Sequence, residues 1–447
     1  VLEDREERLH AAPAHPRIQT YWLARSESDE VLKRIAWEYL FLPMEFRGSH
    51  PAIAKLRHYV EGSRLLAADV RDLGQCAWRN LERNASLLHR ARLGQGLAGM
   101  FRGVPAVVCG AGPSLTHALP DIARKAGGAL IFAGGSALAL LSDYALVPHF
   151  GALVDPDPPL VRFLQHTAFE APLFYHNRAA ASLLQRAHGP LLWMPENEGY
   201  ALEEWLRAQW GLRTPSFDGG WNAATCCVAA AVLLGCAPVY LAGVDLCTQR
   251  GRLYAEGIEE AEGGLVPVED AQGAPAYARR DWLMARDWLS ACAQTHPENA
   301  ITKWGAQGLA LPGIPSCSSI EPSLERDLCA RVHAAVQALP PALAGDQKAE
   351  LPFEKMRSSL RRVARCCDAL LNHFQRAFPH SPCAKGAFAL AEVELEEEAA
   401  YQRVLEPLWA VWRPAIAHRL SAPTGYDSAL YVNKLLFFKK IIEQRNT

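Results

Sequence analysis

Among the twelve cysteines of this 447-residue chain, no two stand as Cys-x-x-Cys. That removes the common zinc and thiol-redox spacings. A disulfide framework is not called for either. Cys109, Cys226, Cys227, Cys236 and Cys247 lie in or beside the most apolar segments, as small buried residues do in a reducing cytoplasm. An excess of charge of one sign is also lacking. The 46 Lys and Arg face 48 Asp and Glu, for a net charge of −2, so nothing global draws the chain to nucleic acid or an anionic membrane. No uninterrupted run is long enough to cross a bilayer. The longest, Cys226 to Ala242, is broken by Gly235 and Pro238 and reads as a buried helix followed by a buried strand, not a membrane span. No signal peptide opens the chain, and a start at Val1 points to a native beginning upstream.

What is present suits a globular protein. Half the residues are apolar and 21% are charged, and the length favours two or three domains. Residues 1–100 read as mainly helical, with apolar residues at helical spacing over Glu30–Leu42 and Pro51–Leu93. Residues 101–318 change character. Short apolar runs recur at Val104–Cys109, Ala129–Ala133, Phe150–Val154, Leu173–Tyr175, Leu191–Met194 and Val239–Ala242, with helical stretches such as Pro158–Phe169 and Ala223–Leu234 between them. Continuous apolar strands alternating with helices predict an α/β domain whose mainly parallel, Rossmann-like sheet is covered on both faces. Residues 319–447 read as a helical bundle, with long periodic segments at Ser323–Leu339, Lys348–Phe378, Ala387–Leu420 and Ser428–Arg445. The acidic run Glu392, Glu394, Glu396, Glu397 and Glu398 reads as a solvated helix face near an N-terminus, where the macrodipole favours acid.

The sharpest chemistry lies at the first strand–turn–helix junction. After Val104–Cys109 comes Gly110-Ala-Gly112-Pro113-Ser114-Leu115. The glycines let the backbone turn tightly and approach a ligand without a Cβ in the way. Pro113 suits a helix start, and the free amides there, with the Ser114 hydroxyl, form an anion seat. On this reading a Cβ branch at Gly112 blocks a phosphate and spares the fold. The dinucleotide fingerprint would place glycine where Leu115 stands, and no Gly-Lys-Ser/Thr of a Walker loop follows.

The turn resembles that of the motility accessory factor (Maf) flagellin glycosyltransferases, which share a domain with the 6-hydroxymethylpterin diphosphokinases of the MptE-like type. It is also similar to the Gly-x-Gly-Pro-Ser-Leu start of a family of bacterial sialyltransferases. The likeness extends upstream through Asn80-Leu-Glu-Arg-Asn84 and Phe101-Arg-Gly-Val-Pro105. Downstream it takes in Phe132-Ala-Gly134-Gly135-Ser136, His149-Phe-Gly-Ala-Leu-Val-Asp155-Pro156, Asp218-Gly219-Gly220 and Pro238-Val-Tyr-Leu-Ala-Gly243-Val-Asp245-Leu246. It implies a nucleotide domain flanked by helical regions. For the accessory factors it implies transfer of a nonulosonic sugar from its CMP form to flagellin Ser or Thr; for the pterin branch, diphosphoryl transfer from ATP. Two positions depart from the pattern. Trp221-Asn222 stand where Ser-Val is usual, and Tyr254-Ala255 where His-Ala is usual. A histidine suits general-base chemistry near neutral pH and an ordinary tyrosine does not, so Tyr254 is read as a hydrogen-bonding residue with the base elsewhere.

The candidate catalytic residues are therefore Asp245, His176 and Tyr254. His176 ends the strand Leu173–Tyr175, on the edge where α/β proteins bind ligands, and Asp245 follows Val239–Ala242 through Gly243 at that same edge. His149, just before a strand, reads as a surface or satisfied core residue. The candidate nucleotide contacts are Gly110, Gly112, Pro113, Ser114, Gly134, Gly135, Asp155, Gly219, Gly220 and Asn222. Asn222 serves equally well as a helix cap. Asp155-Pro-Asp157 offers three readings: hydrogen bonds to ribose or base, a divalent metal on a diphosphate, or a turn-forming Asp-Pro pair. The metal is the less favoured, since a CMP-sugar carries one phosphate, and no metal ligand or resident cofactor is assigned. The expectation is a cytoplasmic glycosyltransferase with a CMP-sugar donor and a flagellin-like acceptor. A diphosphokinase or a non-catalytic nucleotide-binding scaffold of the same fold stays open.

Overall fold

The six apolar runs become six strands, because each is buried along its whole length and alternate side chains enter two different cores. The computed structural model describes residues 2–3, 21–22, 31–33, 35–36, 51–163, 169–195, 201–215, 217–258, 264–321, 327–345, 348–376, 382–419 and 428–446. The chain divides into two compact units, Leu73–Ser358 and Val1–Asp72 with Ser359–Thr447. The boundaries fall within the helices Pro51–Ala85 and Leu351–Arg376.

Leu73–Ser358 carries a nine-stranded sheet: β1 (Arg92–Leu93), β2 (Ala106–Cys109), β3 (Leu130–Gly134), β4 (Phe150–Leu153), β5 (Leu173–Tyr175), β6 (Leu191–Trp193), β7 (Val239–Ala242), β8 (Thr302–Trp304) and β9 (Ser316–Cys317). Across the sheet the order is β9-β8-β7-β2-β3-β4-β5-β6-β1, with every pairing parallel. From β2 the chain lays β3 to β6 outward on one side. It then returns to place β7 against the other side of β2, with Ala106 opposite Val239 and Cys109 opposite Ala242. The two strands therefore end level at the point where strand order reverses, and open parallel sheets form their ligand crevice there.

Val107, Cys109, Ile131 and Ala133 face one core with the helices Leu115–Lys125 and Ser136–Asp143. Val108, Phe132, Phe150 and Phe174 face the other, against the almost wholly apolar helix Ala223–Leu233. There Phe150 stacks on Phe132 at 5.2 Å between ring centroids and meets Phe101 edge-on at 6.0 Å. Each such buried ring contributes about 1.5–3 kcal/mol.

Three strands depart from the expectation. Arg92–Leu93, within the segment read as helical, pairs with Leu192–Trp193 once the long helix has ended at Ala85. Thr302–Trp304 and Ser316–Cys317 extend the other edge. Of the helix expected over Pro158–Phe169, the described residues form only a 3-10 turn, Leu160–Phe163; Leu164 lies outside the described residues. Much of Glu30–Leu42 lies outside them too, although residues 31–33 and 35–36 are helical.

In the second unit Glu392, Glu394, Glu396 and Glu397 lie toward the C-terminal end of the helix Pro382–Glu397, while Glu398 directly precedes the helical residues that begin at Ala399. Glu398 is neutralised locally, since Arg362 Nη2 donates to it at 2.9 Å and the Ser359 hydroxyl at 2.6 Å. Among the described residues no helix is long and apolar enough to cross a membrane.

His149 proves to be a core residue. Its backbone N–H donates to Ile131 O at 2.8 Å, and its Nδ1 accepts from Ile131 N–H at 3.0 Å. Burial lowers its pKa from 6.5 to about 4. Protonating Nδ1 would turn an acceptor into a donor facing another donor. Above pH 6.5 neither folded nor unfolded chain holds the proton. Between 6.5 and about 4 only the unfolded chain binds it, so stability falls as pH drops through that window. The full loss is about 3 kcal/mol. Melting curves from pH 7 to 4.5 should show this decline in the wild type and a shallower one in His149→Gln.

Candidate active site

The turn after β2 is welded to the loop after β7. Gly110 N–H donates to Ala242 O and Gly112 N–H to Gly243 O, both at 2.8 Å. Asp245, 2% exposed, turns back across the gap: its Oδ2 accepts from the Ser114 N–H at 2.8 Å and its Oδ1 from the Ser114 hydroxyl at 2.5 Å. The anion seat read from the sequence at this helix start thus holds the protein's own carboxylate.

The same geometry explains the glycines. A Cβ on Gly110 would stand 2.5 Å from Gly243 O, and one on Gly112 would stand 2.6 Å from both Gly243 O and Asp245 Oδ2. Gly243, at φ +66°, lies against Leu115. These residues are glycine because two loops of the chain meet there. The expectation that a branch at Gly112 spares the fold is thereby corrected, since it would part the two loops. Burial raises the Asp245 pKa, opposed by the Ser114 hydrogen bonds and by the charge of Lys303. The buried Lys303 ammonium, which donates to Leu309 O at 2.8 Å, is itself pulled down by burial.

Further along the edge, Gly134 packs against the start of the helix Ala223–Leu233; a Cβ there would lie 2.6 Å from Ala223 O. Gly135, at φ +51°, precedes the helix Ser136–Asp143 and sits near the exposed Asp155, whose Oδ2 is 4.0 Å from the position of its Cβ. Asn222 caps the helix Ala223–Leu233 in a reciprocal box: its Oδ1 accepts from Thr225 N–H at 3.0 Å, and its own N–H donates to Thr225 Oγ1 at 2.9 Å. The first amides of that helix have no intrahelical acceptor and open on the same edge. Gly220, at φ +70°, is held between Thr225 and Trp288, while Asp218 accepts from Gly220 N–H and from Trp288 Nε1.

His176 is buried, with Nδ1 3.1 Å from Met194 O and its ring tilted against Phe217. A carbonyl can only accept, so Nδ1 carries a proton. Nε2 lies 3.3 Å from where a Gly219 Cβ would be. Tyr254 is half-buried beside the turn, because Ala255 N–H donates to Ala111 O at 2.9 Å. Its ring meets Trp282 edge-on at 5.6 Å and lies under the Arg162 guanidinium at 4.7 Å.

The structure therefore gathers Gly110, Gly112, Pro113, Ser114, Asp245 and Tyr254 at the switch point. Gly134, Gly135, Asp155 and Asn222 come next to them, and His176, Gly219 and Gly220 form a third group. Among the described residues no three His, Cys, Asp or Glu side chains come together as a metal would need.

Sequence reasoning assigned no site role to four residues here, although Asn80 and Asn84 bound one of the motifs of the resemblance. Asn80 and Asn84, one helical turn apart, hold the loops after β4 and β5: Asn80 Nδ2 donates to Pro156 O (2.8 Å) and Arg178 O (3.0 Å), and Asn84 Nδ2 to Asn177 O and Ala179 O (both 2.8 Å). Their i,i+4 spacing was the available signal. Arg162 donates from Nη1 to Ser136 Oγ at 3.3 Å. Arg279 closes the hairpin formed by Leu265–Glu269 and Pro275–Arg279, and its Nε donates to Asp281 Oδ1 at 3.0 Å.

A sheet of this topology, with its glycine turn at the reversal point, defines a Rossmann-like α/β domain. Residues 79–251 match the family described as 6-hydroxymethylpterin diphosphokinase MptE-like. In fold it is similar to the Maf glycosyltransferase from Magnetospirillum magneticum AMB-1, with a TM-score of 0.58 and 16% identity over 93% of this chain and 67% of that one. Both findings agree with the Maf and MptE-like resemblance seen in the motifs. No curated protein matches in sequence.

Asp245→Asn isolates the brace. An amide cannot accept from both the Ser114 N–H and the Ser114 hydroxyl, because one of its ends is a donor. Stability should fall by about 1.5–3 kcal/mol, with nucleotide affinity close to wild type. A variant that melts normally and binds weakly would instead make Asp245 a ligand contact.

Proposed function

We propose that the chain is a glycosyltransferase that takes a nonulosonic sugar from its CMP form and places it on a protein Ser or Thr hydroxyl, with a flagellin-like protein as acceptor. The observation that carries this reading is the glycine turn at the β2–β7 switch point, whose surrounding motifs follow the accessory-factor pattern out to Asp245. The donor lies along the carboxyl edge, from the Gly110–Ser114 turn to the start of the helix Ala223–Leu233. Asp155 is exposed there to accept from ribose hydroxyls.

Transfer needs a base for the acceptor hydroxyl as its oxygen attacks the anomeric carbon and CMP departs. His176 fills that role: Met194 O anchors Nδ1 and leaves the ring with Nε2 on the Gly219 side of the site. Asp245 and the Asn80–Asn84 pair act as positioning residues that hold the loops.

Melting the protein with CMP, CDP, UDP and ATP tests the donor class. A cytidine nucleotide at a hundred times its dissociation constant should add about 2.7 kcal/mol. A shift with ATP alone would favour the diphosphokinase reading. His176→Gln should keep CMP affinity within about twofold and lower transfer at least about a hundredfold, the low end of a general base's contribution. Unchanged transfer would move the base elsewhere.

A further inference from the structure

We propose that Arg250, Arg252 and Tyr277 form the docking surface for the acceptor, and that the acceptor presents an acidic polypeptide segment to them. The inference rests on the glycosyltransferase reading above and extends it from the donor to the acceptor. It starts from the loop 245–255, whose two ends are fixed on the glycine turn. At one end Asp245 accepts from Ser114, and at the other Ala255 N–H donates to Ala111 O at 2.9 Å. Between them Leu246, Cys247 and Leu253 are buried, so the loop is packed along its inner side. Its outer end is a two-residue hairpin. Gln249 N–H donates to Arg252 O at 2.8 Å, and Arg252 N–H to Gln249 O at 3.0 Å. Both central residues have positive φ, +52° at Arg250 and +79° at Gly251, which makes this a type I′ turn.

Such a turn favours Asn-Gly, and an arginine at its first position carries a Cβ into the left-handed region with no gain to the backbone. Arg250 is therefore to be explained by its side chain. Arg250 and Arg252 are both exposed, and among the described residues neither guanidinium has a hydrogen-bond or ion-pair partner, although Glu256 is exposed on the same loop. The loop also holds a third residue in place. Thr248 N–H donates to Tyr277 O at 2.7 Å, and Tyr277 N–H to Thr248 Oγ1 at 2.9 Å. Tyr277, 54% exposed, is thereby fixed next to the arm that carries the two arginines. The surface borders the site, since three residues bring the Arg252 Cα within about 11 Å of the Ala255 Cα at the glycine turn. Exposed guanidiniums suit a second protein better than a small donor. Solvent screens them from a ligand in the crevice, whereas across an interface they steer the encounter, and Arg and Tyr supply much of the contact energy. Their charge makes the fitting partner acidic.

The test is fluorescence anisotropy with two labelled peptides, one of Ser and Thr flanked by Asp and Glu, the other with Asn and Gln in place of the acids. At low ionic strength the wild type should bind the acidic peptide about tenfold tighter than its neutral counterpart, and high salt should erase the preference. The double variant Arg250→Asn with Arg252→Gln should lose the preference and keep wild-type CMP affinity. Its melting temperature should be wild-type or higher, because Asn suits the left-handed position. Tyr277→Ser should weaken both peptides alike. A wild type that binds neither peptide, or both equally, would overturn the proposal, as would a double variant that keeps the preference. A double variant that loses CMP affinity would also overturn it, by assigning the arginines to the donor. Should the wild type bind no cytidine nucleotide, the glycosyltransferase reading fails, and the docking surface stands or falls on the two peptides alone.

Discussion

The carboxylate of Asp245, accepting from the Ser114 backbone and hydroxyl, ties the loop after β7 to the turn after β2. Those strands are adjacent in the sheet and far apart in sequence, so nothing local holds their ends together. The contact needs glycine at 110, 112 and 243, because each would otherwise carry a Cβ into the opposing loop. It reaches one layer further at Gly308, where a Cβ would meet the backbone of Asp245 at 2.4 Å. Removing the carboxylate would therefore leave two buried donors unpaired and release loops that Tyr254, Ala255 and the hairpin depend on.

The rest of the carboxyl edge is built on a second set of buried amides. Asn80 and Asn84 reach the loops after β4 and β5 and so position Asp155 and His176 from behind. Not every polar atom there is satisfied. Among the described residues, Asn84 Oδ1 and Asn177 Oδ1 are buried without hydrogen-bond partners. An orphaned buried acceptor costs about 1–3 kcal/mol. A fold tolerates that where loop geometry matters more than stability, and such sites gather at functional edges.

The sequence carried the sheet because strand burial leaves a direct trace: six continuous apolar runs, each now a strand within one or two residues of its expected limits. It could not carry β1, β8 and β9. Arg92–Leu93 and Ser316–Cys317 are two residues long, and Thr302-Lys303-Trp304 hides a charge whose acceptor, Leu309 O, is visible only in three dimensions. The site divides in the same way. The positions of Gly110, Gly112, Asp245 and His176 at the carboxyl edge follow from strand ends and were legible. The partner of each side chain was not, since Ser114 and Asp245 are 131 residues apart. Arg162 lay in a segment read as a helix, and Arg279 at the end of a hairpin that was not read as strands.

One consequence joins these observations. A glycine-rich turn at a helix start is usually taken as a phosphate cradle because its amides are free. Here Asp245 takes the Ser114 N–H and Gly243 O takes the Gly112 N–H, so two of those amides already have acceptors in the protein. The turn can still set where a ligand lies, but those donors cannot also neutralise its charge.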